Sequence, residues 1–135
     1  MKYVKETTVM YADTDSYQVV WHGSYLRWLE EGRFSLCKLA GVAVDKLDAN
    51  GITFPIVDMH VRYKSPARIF EDIVIETRIA DVKSRTVTFF QTIKNKETGE
   101  VHINAEFVCV AVSSKETKLL KMPEEIFSAF KKIIE

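Results

Sequence analysis

The sequence predicts an α+β fold in which a curved antiparallel sheet of about five strands wraps around one long central helix. Two observations support it: apolar residues recur at helical spacing between residues 25 and 40, and the segments on either side alternate with period two. A strand, a long helix, four strands and a C-terminal helix follow in that order. At 135 residues, 47% of them hydrophobic, a single domain spanning residues 1–135 is expected.

The first strand and the central helix are read from residues 2–41. Residues 2–10 form the strand, and Asp13 to Tyr17 form a turn-prone loop. Ser24 is the expected N-cap, because its hydroxyl can accept a free backbone N–H. Gly32 lies on the apolar face of the helix and predicts close approach of a neighbouring backbone, while Gly41 ends the helix. The apolar face comprises Tyr25, Trp28, Leu29, Gly32, Leu36, Leu39 and Ala40.

The second half of the chain reads as strands. A short helix over residues 44–49 leads into it, and a final amphipathic helix begins near Pro123, which suits the first helical position. In this alternation His60 and His102 occupy outward positions, so both are expected at the surface. The predicted strands span residues 57–63, 73–79, 87–93 and 101–111.

The composition excludes several classes of partner. Nineteen basic and 19 acidic residues cancel, so no net field directs the chain toward nucleic acid or a membrane surface. There is no transmembrane run and no apolar signal segment, which favours a cytoplasmic protein without stable membrane insertion. Cys37 and Cys109 lie in apolar patterns and are expected to be reduced core thiols. No spacing suggests a zinc site, and neither a metal nor a cofactor is expected.

The segment from Tyr11 to Arg33 carries the candidate chemistry. It places Asp13 and Asp15 on a short loop, with His22 seven residues after the second aspartate and at the start of the helix. A carboxylate beside the positive end of a helix dipole suits attack on a polarised carbonyl. Asp13 is expected to bond loop amides and fix the turn.

This segment and the order of elements resemble the hotdog-fold acyl-CoA thioesterases, specifically the 4-hydroxybenzoyl-CoA thioesterase-like family. A second stretch, Val61 to Thr77, is similar to the family's Tyr-x-x-Pro-Ala approach to its third strand. Gln18 stands where the family usually has glycine, a residue that permits positive φ and close approach to substrate. The positions that match the first motif are Tyr11, Asp13, Asp15, Val19, Val20, Trp21, Tyr25 and Trp28.

The resemblance implies roles for individual residues. Asp15 is the implied catalytic carboxylate, which either attacks the thioester carbonyl or activates a water. The backbone N–H of His22 is the implied donor to the carbonyl oxygen, and the His22 side chain has either a structural or a chemical role. Trp21 and Tyr25 are the implied substrate-binding aromatics, with core packing the alternative for Tyr25.

The implied reaction is hydrolysis of an acyl-CoA to a carboxylic acid and coenzyme A. The phosphates of coenzyme A need cationic or N–H donors. Basic side chains at turns are the candidates, although charged side chains at turns are commonly just solvated. An acyl-carrier-protein thioesterase and a non-catalytic acyl-CoA binding module are the alternatives. The candidate donors are Lys64, Arg68, Lys83, Ser84 and Arg85.

One helix cannot cover both faces of the sheet, and an edge strand needs protection, so a homodimer or homotetramer is expected. The acyl group stays open, because the candidate lining residues suit either an aliphatic or an aromatic pocket. These residues are Phe54, Met59, Phe89 and Phe90.

Overall fold

A computed structural model describes residues 1–134 and shows one long helix lying across a five-stranded antiparallel sheet. Glu135, the last residue of the expected domain, lies outside the described residues. In chain order the elements are β1 (Lys2–Thr8), α1 (His22–Leu39), α2 (Val44–Ala49), β2 (Ile52–Thr53), β3 (Ile56–Tyr63), β4 (Asp72–Val82), β5 (Thr86–Asn95), β6 (Val101–Val110), β7 (Val112–Ser113), β8 (Lys118–Leu119) and α3 (Glu124–Ile133).

The main sheet has the order β1-β4-β5-β6-β3, and a small sheet has the order β2-β7-β8. All neighbouring strands of both sheets are antiparallel. The five long strands and the three helices predicted from the sequence are all present in the described chain. The predicted and observed ends differ by at most three residues, which is expected because strand and helix ends fray.

The face of the sheet beneath α1 is the core. Alternate residues of β4 and β5 are buried there, as period two requires. A Cβ at Gly32 would lie 2.5 Å from Thr77 Oγ1 and 3.0 Å from Gln91 Nε2. The close neighbours at Gly32 are therefore two sheet side chains, and the expectation of a neighbouring backbone is wrong. Gln91 Nε2 also donates to Leu29 O at 2.8 Å, which ties the helix to β5.

The ends of the helices differ in detail from the expectations. Trp21, rather than Ser24, is the N-cap of α1, and Ser24 lies inside the first turn, where its hydroxyl donates to Asp13 O at 3.0 Å. Gly41 follows the last turn with φ +86°, as predicted for a C-terminal glycine. Pro123 is the N-cap of α3 rather than its first residue.

Strand β3 forms one edge of the main sheet, and most of its residues are exposed on both faces. The other edge strand, β1, alternates between exposed and half-buried positions. An edge with exposed apolar side chains and free backbone groups is the part of a sheet that most needs a partner. The exposed apolar residues of β3 are Ile56, Val57, Met59 and Tyr63.

Cys37 and Cys109 are both buried free thiols, as predicted. Burial raises the pKa of Cys37 to about 12 and also raises the pKa of Cys109. Among residues 1–134, no helix is long and apolar enough to cross a membrane, and no group of three or more metal-ligating side chains comes together.

Candidate active site

The Asp15 loop, residues 11–21, lies between β1 and α1 and makes a tight turn at Asp15. The Gln18 amide donates to Asp15 O, and the Asp15 amide donates to Val19 O, both at 3.0 Å. The half-buried Asp15 carboxylate accepts the Tyr17 amide at Oδ1, at 2.8 Å. Among the described residues no hydrogen bond reaches Oδ2. The loop therefore orients the carboxylate through one oxygen and leaves the other available.

Gln18 adopts φ +65°, in the left-handed region that favours glycine. This is the position where the resemblance leads one to expect glycine. The chain reaches that backbone conformation with a glutamine, at a conformational cost of about 1 kcal/mol or more. The substitution therefore leaves the turn of the Asp15 loop in place.

Asp13 fixes the loop to the start of α1. It is buried, and its carboxylate accepts the Met10 amide at 2.8 Å and pairs with Arg27 at 3.0 Å. Its carbonyl accepts the Trp21 amide at 2.8 Å and the Ser24 hydroxyl. The structural role expected for Asp13 matches these contacts. They hold the backbone at Asp13 against the start of α1, and Asp15 follows two residues further along the chain.

His22 is the first residue of α1, so its N–H has no intrahelical acceptor. No hydrogen bond from this N–H is found among residues 1–134, and the carbonyl of His22 accepts the Tyr63 hydroxyl at 3.1 Å. The His22 side chain is exposed. The half-exposed Trp21 ring packs over Gly23, where an added Cβ would lie 2.2 Å from the indole. The N-terminus of α1 therefore presents the His22 N–H as a donor beside the exposed Trp21 ring.

Tyr25 lies in the core and is 3% exposed. Its hydroxyl accepts the Ala67 amide at 3.0 Å, and its ring makes edge contacts with Trp28 and Tyr63. Burial raises the pKa of Tyr25, and the negative charges of Glu71 and Asp15 contribute to the same shift. Tyr25 therefore supports the β3–β4 connection, residues 64–71, and lies within electrostatic reach of Asp15.

His102 is fully buried, so its expected surface position is wrong. Its Nδ1 lies 2.8 Å from Ser65 Oγ and 3.1 Å from Ser65 O, and its Nε2 contacts a carboxylate oxygen of Glu71. A register shift between β5 and β6 leaves His102 as the extra residue of a bulge, which re-aims its side chain. A strict alternation pattern cannot reveal that shift. His60, by contrast, is exposed as expected.

The candidate phosphate-binding residues fall into two groups. Lys64 and Arg68 are exposed in the β3–β4 connection, and Arg68 forms a β-bridge with Val19 of the Asp15 loop. Lys83, Ser84 and Arg85 lie in the turn between β4 and β5, at the opposite end of the sheet. Within one chain, the structure therefore brings only Lys64 and Arg68 to the Asp15 end.

Two of the cavities in the described part of the chain flank the sheet, and neither is lined by Asp15 or His22. One of about 710 Å³ lies over charged side chains of β3, β4, β5 and β6. The other, of about 590 Å³, lies beside α1 against Phe54 and Phe89, with Met59 and Phe90 lining the first cavity instead. Exposed large apolar side chains lie instead on the Asp15 loop, beside it in sequence and on the β3–β4 segment. They are Met10, Tyr11, Tyr17, Trp21, Tyr63 and Phe70.

The sequence of residues 9–130 matches the family model of the thioesterase-like superfamily. The chain belongs to this superfamily. The acyl-CoA thioester hydrolase YbgC of Escherichia coli O6:H1 is 31% identical over 123 residues, which cover 91% of this chain and 91% of that protein. The resemblance found in the Tyr11–Arg33 segment is thereby confirmed, and so is the expected class of enzyme, the thioester hydrolases, at the level of the family.

Solved structures give the same fold. The hypothetical protein TT1821 from Thermus thermophilus has a TM-score of 0.91 at 27% identity, covering 100% of this chain and 99% of that one. The 1,4-dihydroxy-2-naphthoyl-CoA thioesterase from Synechocystis has a TM-score of 0.88 at 19% identity, covering 97% of this chain and 96% of that one. The predicted hotdog fold is confirmed.

Proposed function

We propose that this thioesterase-superfamily protein is an acyl-CoA thioesterase that uses Asp15. The observation that carries the proposal is the carboxylate itself, held through Oδ1 with Oδ2 available, on a loop tied to the open N-terminus of α1. A thioester is already activated toward attack, so a carboxylate and an oriented N–H suffice for hydrolysis. Residues 1–135 act as one domain in this proposal.

The reaction has two routes that share the same groups. In one, an Asp15 oxygen bonds to the carbonyl carbon, the C–S bond breaks and coenzyme A leaves as the thiolate. Water then hydrolyses the resulting anhydride to the free acid and the Asp15 carboxylate, and a proton from that water passes to the thiolate. In the other, Asp15 takes a proton from a water whose oxygen bonds to that carbon, and coenzyme A leaves as the thiol. In both, negative charge builds on the carbonyl oxygen, and the His22 N–H at the positive end of α1 stabilises it.

We also propose that the working site needs two subunits joined through β3. An antiparallel pairing of two β3 edges about a twofold axis would place the Ile56 end of one strand beside the Tyr63 end of the other. In this arrangement, Lys83, Ser84 and Arg85 of the second subunit come to the Asp15 end, where Lys64 and Arg68 already lie. The exposed apolar residues of β3 support this interface.

Coenzyme A is the proposed carrier of the acyl group, with acyl carrier protein the alternative. The homologue YbgC is named for acyl-CoA, which supports the first. The free thiols Cys37 and Cys109 support a reducing, cytoplasmic setting.

The test is release of free thiol from acyl-CoAs with short, long and aromatic acyl groups, and from matched acyl-carrier-protein substrates. Asp15→Asn keeps the shape of the loop and the Oδ1 acceptor, and we expect it to lower kcat by about 100-fold or more while the melting temperature holds. Asp48→Asn, an exposed aspartate of α2, is the matched control and should behave as wild type.

Near-normal turnover by the Asp15→Asn variant would remove Asp15 from the mechanism. Wild-type turnover confined to acyl carrier protein would change the carrier. No hydrolysis of any substrate, with tight acyl-CoA binding by equilibrium dialysis, would identify a binding module instead.

A further inference from the structure

A buried polar cluster lies where β6 meets the β3–β4 connection, the segment that contacts the Asp15 loop at Val19 and Val20. It is separate from the groups assigned to the reaction. We call Ser65, Glu71 and His102 the His102 cluster. The His102 side chain is 0% exposed, and the Glu71 side chain is 15% exposed. The three residues come from β6 and from both ends of the β3–β4 connection. The Lys64 amide also donates to His102 O at 2.8 Å, which fixes the start of that connection to β6.

The hydrogen-bond partners define where the protons of this cluster lie. Ser65 O can only accept, so the His102 Nδ1 that faces it must carry a proton. Ser65 Oγ donates its own proton to Val101 O at 2.9 Å, so it accepts from Nδ1 as well. The serine therefore does not donate to the imidazole, as a serine nucleophile would. The cluster is not a second hydrolytic triad.

The other ring nitrogen then faces a carboxylate oxygen of Glu71. With Nδ1 protonated, a neutral imidazole and an ionised Glu71 would point two lone pairs at each other. One proton must lie between them, either on Nε2 of an imidazolium or on the carboxyl group of Glu71. In the first case the hydrogen bond joins two charged groups, and in the second it is a neutral O–H···N bond. In both, the fully buried imidazole is held to Glu71 where the local dielectric is low.

A chain of hydrogen bonds leads from Glu71 to Asp15. The second carboxylate oxygen of Glu71 accepts the Arg68 amide at 3.1 Å, and Arg68 forms a bridge with Val19. The neighbouring Ala67 carbonyl accepts the Val20 amide at 2.9 Å. Val19 O in turn accepts the Asp15 amide. The first link is a side-chain contact within the β3–β4 connection, and the later links are backbone contacts of the loop that carries the carboxylate.

We propose that His102 and Glu71 are positioning residues, whose shared proton holds the β3–β4 connection against Val19 and Val20 and so fixes Asp15 beside the N-terminus of α1. This inference rests on the proposed function of Asp15. A displacement of about 1 Å at a reacting group can lower a rate by about 100-fold. The rate should therefore be sensitive to contacts that hold the Asp15 loop in place.

The test combines variants with a measurement made without substrate. In Glu71→Leu and His102→Phe we expect amide hydrogen exchange at Val20 to accelerate and kcat to fall by about 10- to 100-fold, with a smaller change in KM. In Glu71→Gln the amide N–H can donate to a neutral imidazole and Oε1 can still accept the Arg68 amide, so both values should stay within roughly threefold of wild type. The Met122 amide, bonded to Ser84 O at the far end of the sheet, is the internal reference.

Several outcomes would overturn the proposal. One is unchanged Val20 exchange and kcat in folded Glu71→Leu protein; another is a Glu71→Gln variant as impaired as Glu71→Leu. Nitrogen-15 NMR of the wild-type His102 ring needs neither a variant nor turnover, and an Nδ1 without a proton would refute the assignment. Because the exchange and ring measurements do not use substrate, loss of the thioesterase assignment would leave them interpretable.

Discussion

His22 carries two chemical groups whose contributions can be separated at a single position. The backbone N–H is the proposed donor to the carbonyl oxygen, while the imidazole is exposed at the surface. His22 is the first helical residue, where proline is well tolerated because the N–H there has no intrahelical acceptor. Trp21 before it has φ −63° and ψ +137°, a conformation that a residue preceding proline readily adopts.

His22→Pro should therefore remove the donor and keep the helix. We expect kcat to fall by about 100- to 1000-fold, the usual effect of losing one oxyanion donor. His22→Ala retains the N–H and is the matched control, for which we expect less than about a 10-fold change. Steady-state kinetics and the far-ultraviolet circular dichroism of both variants check this. Equal losses in the two variants would assign the role to the imidazole instead.

At this scale the sequence identifies some residues and misses others for a physical reason. Asp13 and Asp15 lie two residues apart in one short motif. A structural role for Asp13 and a catalytic role for Asp15 can therefore be predicted from the local sequence. Gln18 could be flagged only as a departure, because the sequence does not report φ. His102 was misplaced because its burial depends on a bulge and on residues 65–71, more than 30 positions away.

Among the elements, α1 and the sheet lie in close contact at Gly32. Thr77 and Gln91 are fully or nearly fully buried there, and Gln91 Nε2 donates to Thr77 Oγ1 at 2.8 Å. Arg33 completes the contact: it donates to Gln91 Oε1 at 2.9 Å and lies over the Phe107 ring. Burial lowers the pKa of Arg33. This polar row fixes how α1 lies across β4 and β5.

Gly32→Ala should destabilise the protein although alanine favours helices. The added methyl would meet Thr77 Oγ1 at 2.5 Å, and a β-branched side chain in a packed strand has little room to withdraw. Overpacking costs about 1–3 kcal/mol, against roughly 1 kcal/mol gained in helix propensity. Urea unfolding should therefore show a free energy of unfolding that is lower by up to about 2 kcal/mol.

Glu30→Ala, at an exposed position of the same helix, is the control and should stay within about 0.5 kcal/mol of wild type. A Gly32→Ala variant as stable as wild type would mean that the helix and sheet can separate at this contact.

The elements themselves were predictable because each follows from a local period. Period two located all the long strands, and helical spacing located α1. The N-cap of α1 was missed because Ser24 uses its hydroxyl for Asp13 O, a contact that the loop creates on folding. Likewise, the close neighbours of Gly32 belong to strands that are brought beneath it only by the sheet order.

On the scale of the whole molecule, the exposed β3 edge supports the proposal that a second subunit completes the site. Mixing two inactive variants tests whether the second subunit completes the site. The double variant Lys83→Ala/Arg85→Ala loses the basic turn between β4 and β5 but retains Asp15. The Asp15→Asn variant loses the carboxylate but retains that turn. If the turn acts across the interface, a mixed dimer contains one wild-type site, and activity at low acyl-CoA should rise toward about half of the wild-type value per mixed dimer.

Unfolding and refolding the two variants together, followed by thiol-release assays and light scattering, measures this directly. Each variant refolded alone is the control. Absence of recovery in a confirmed mixed dimer would show that the turn acts within its own chain or has no part in binding.

The burial of Cys37 and Cys109 has a practical consequence for the thiol-release assays. Only the thiolate form reacts with disulfide reagents, and burial raises the pKa of Cys37 to about 12, so this side chain is almost entirely in the unreactive thiol form at pH 8. Cys109 is 4% exposed, so a reagent reaches it poorly as well. Colour that develops in the native protein therefore reports released coenzyme A. A slow enzyme-only signal would in turn report widening of the cavity beside α1, which Cys37 and Cys109 both line.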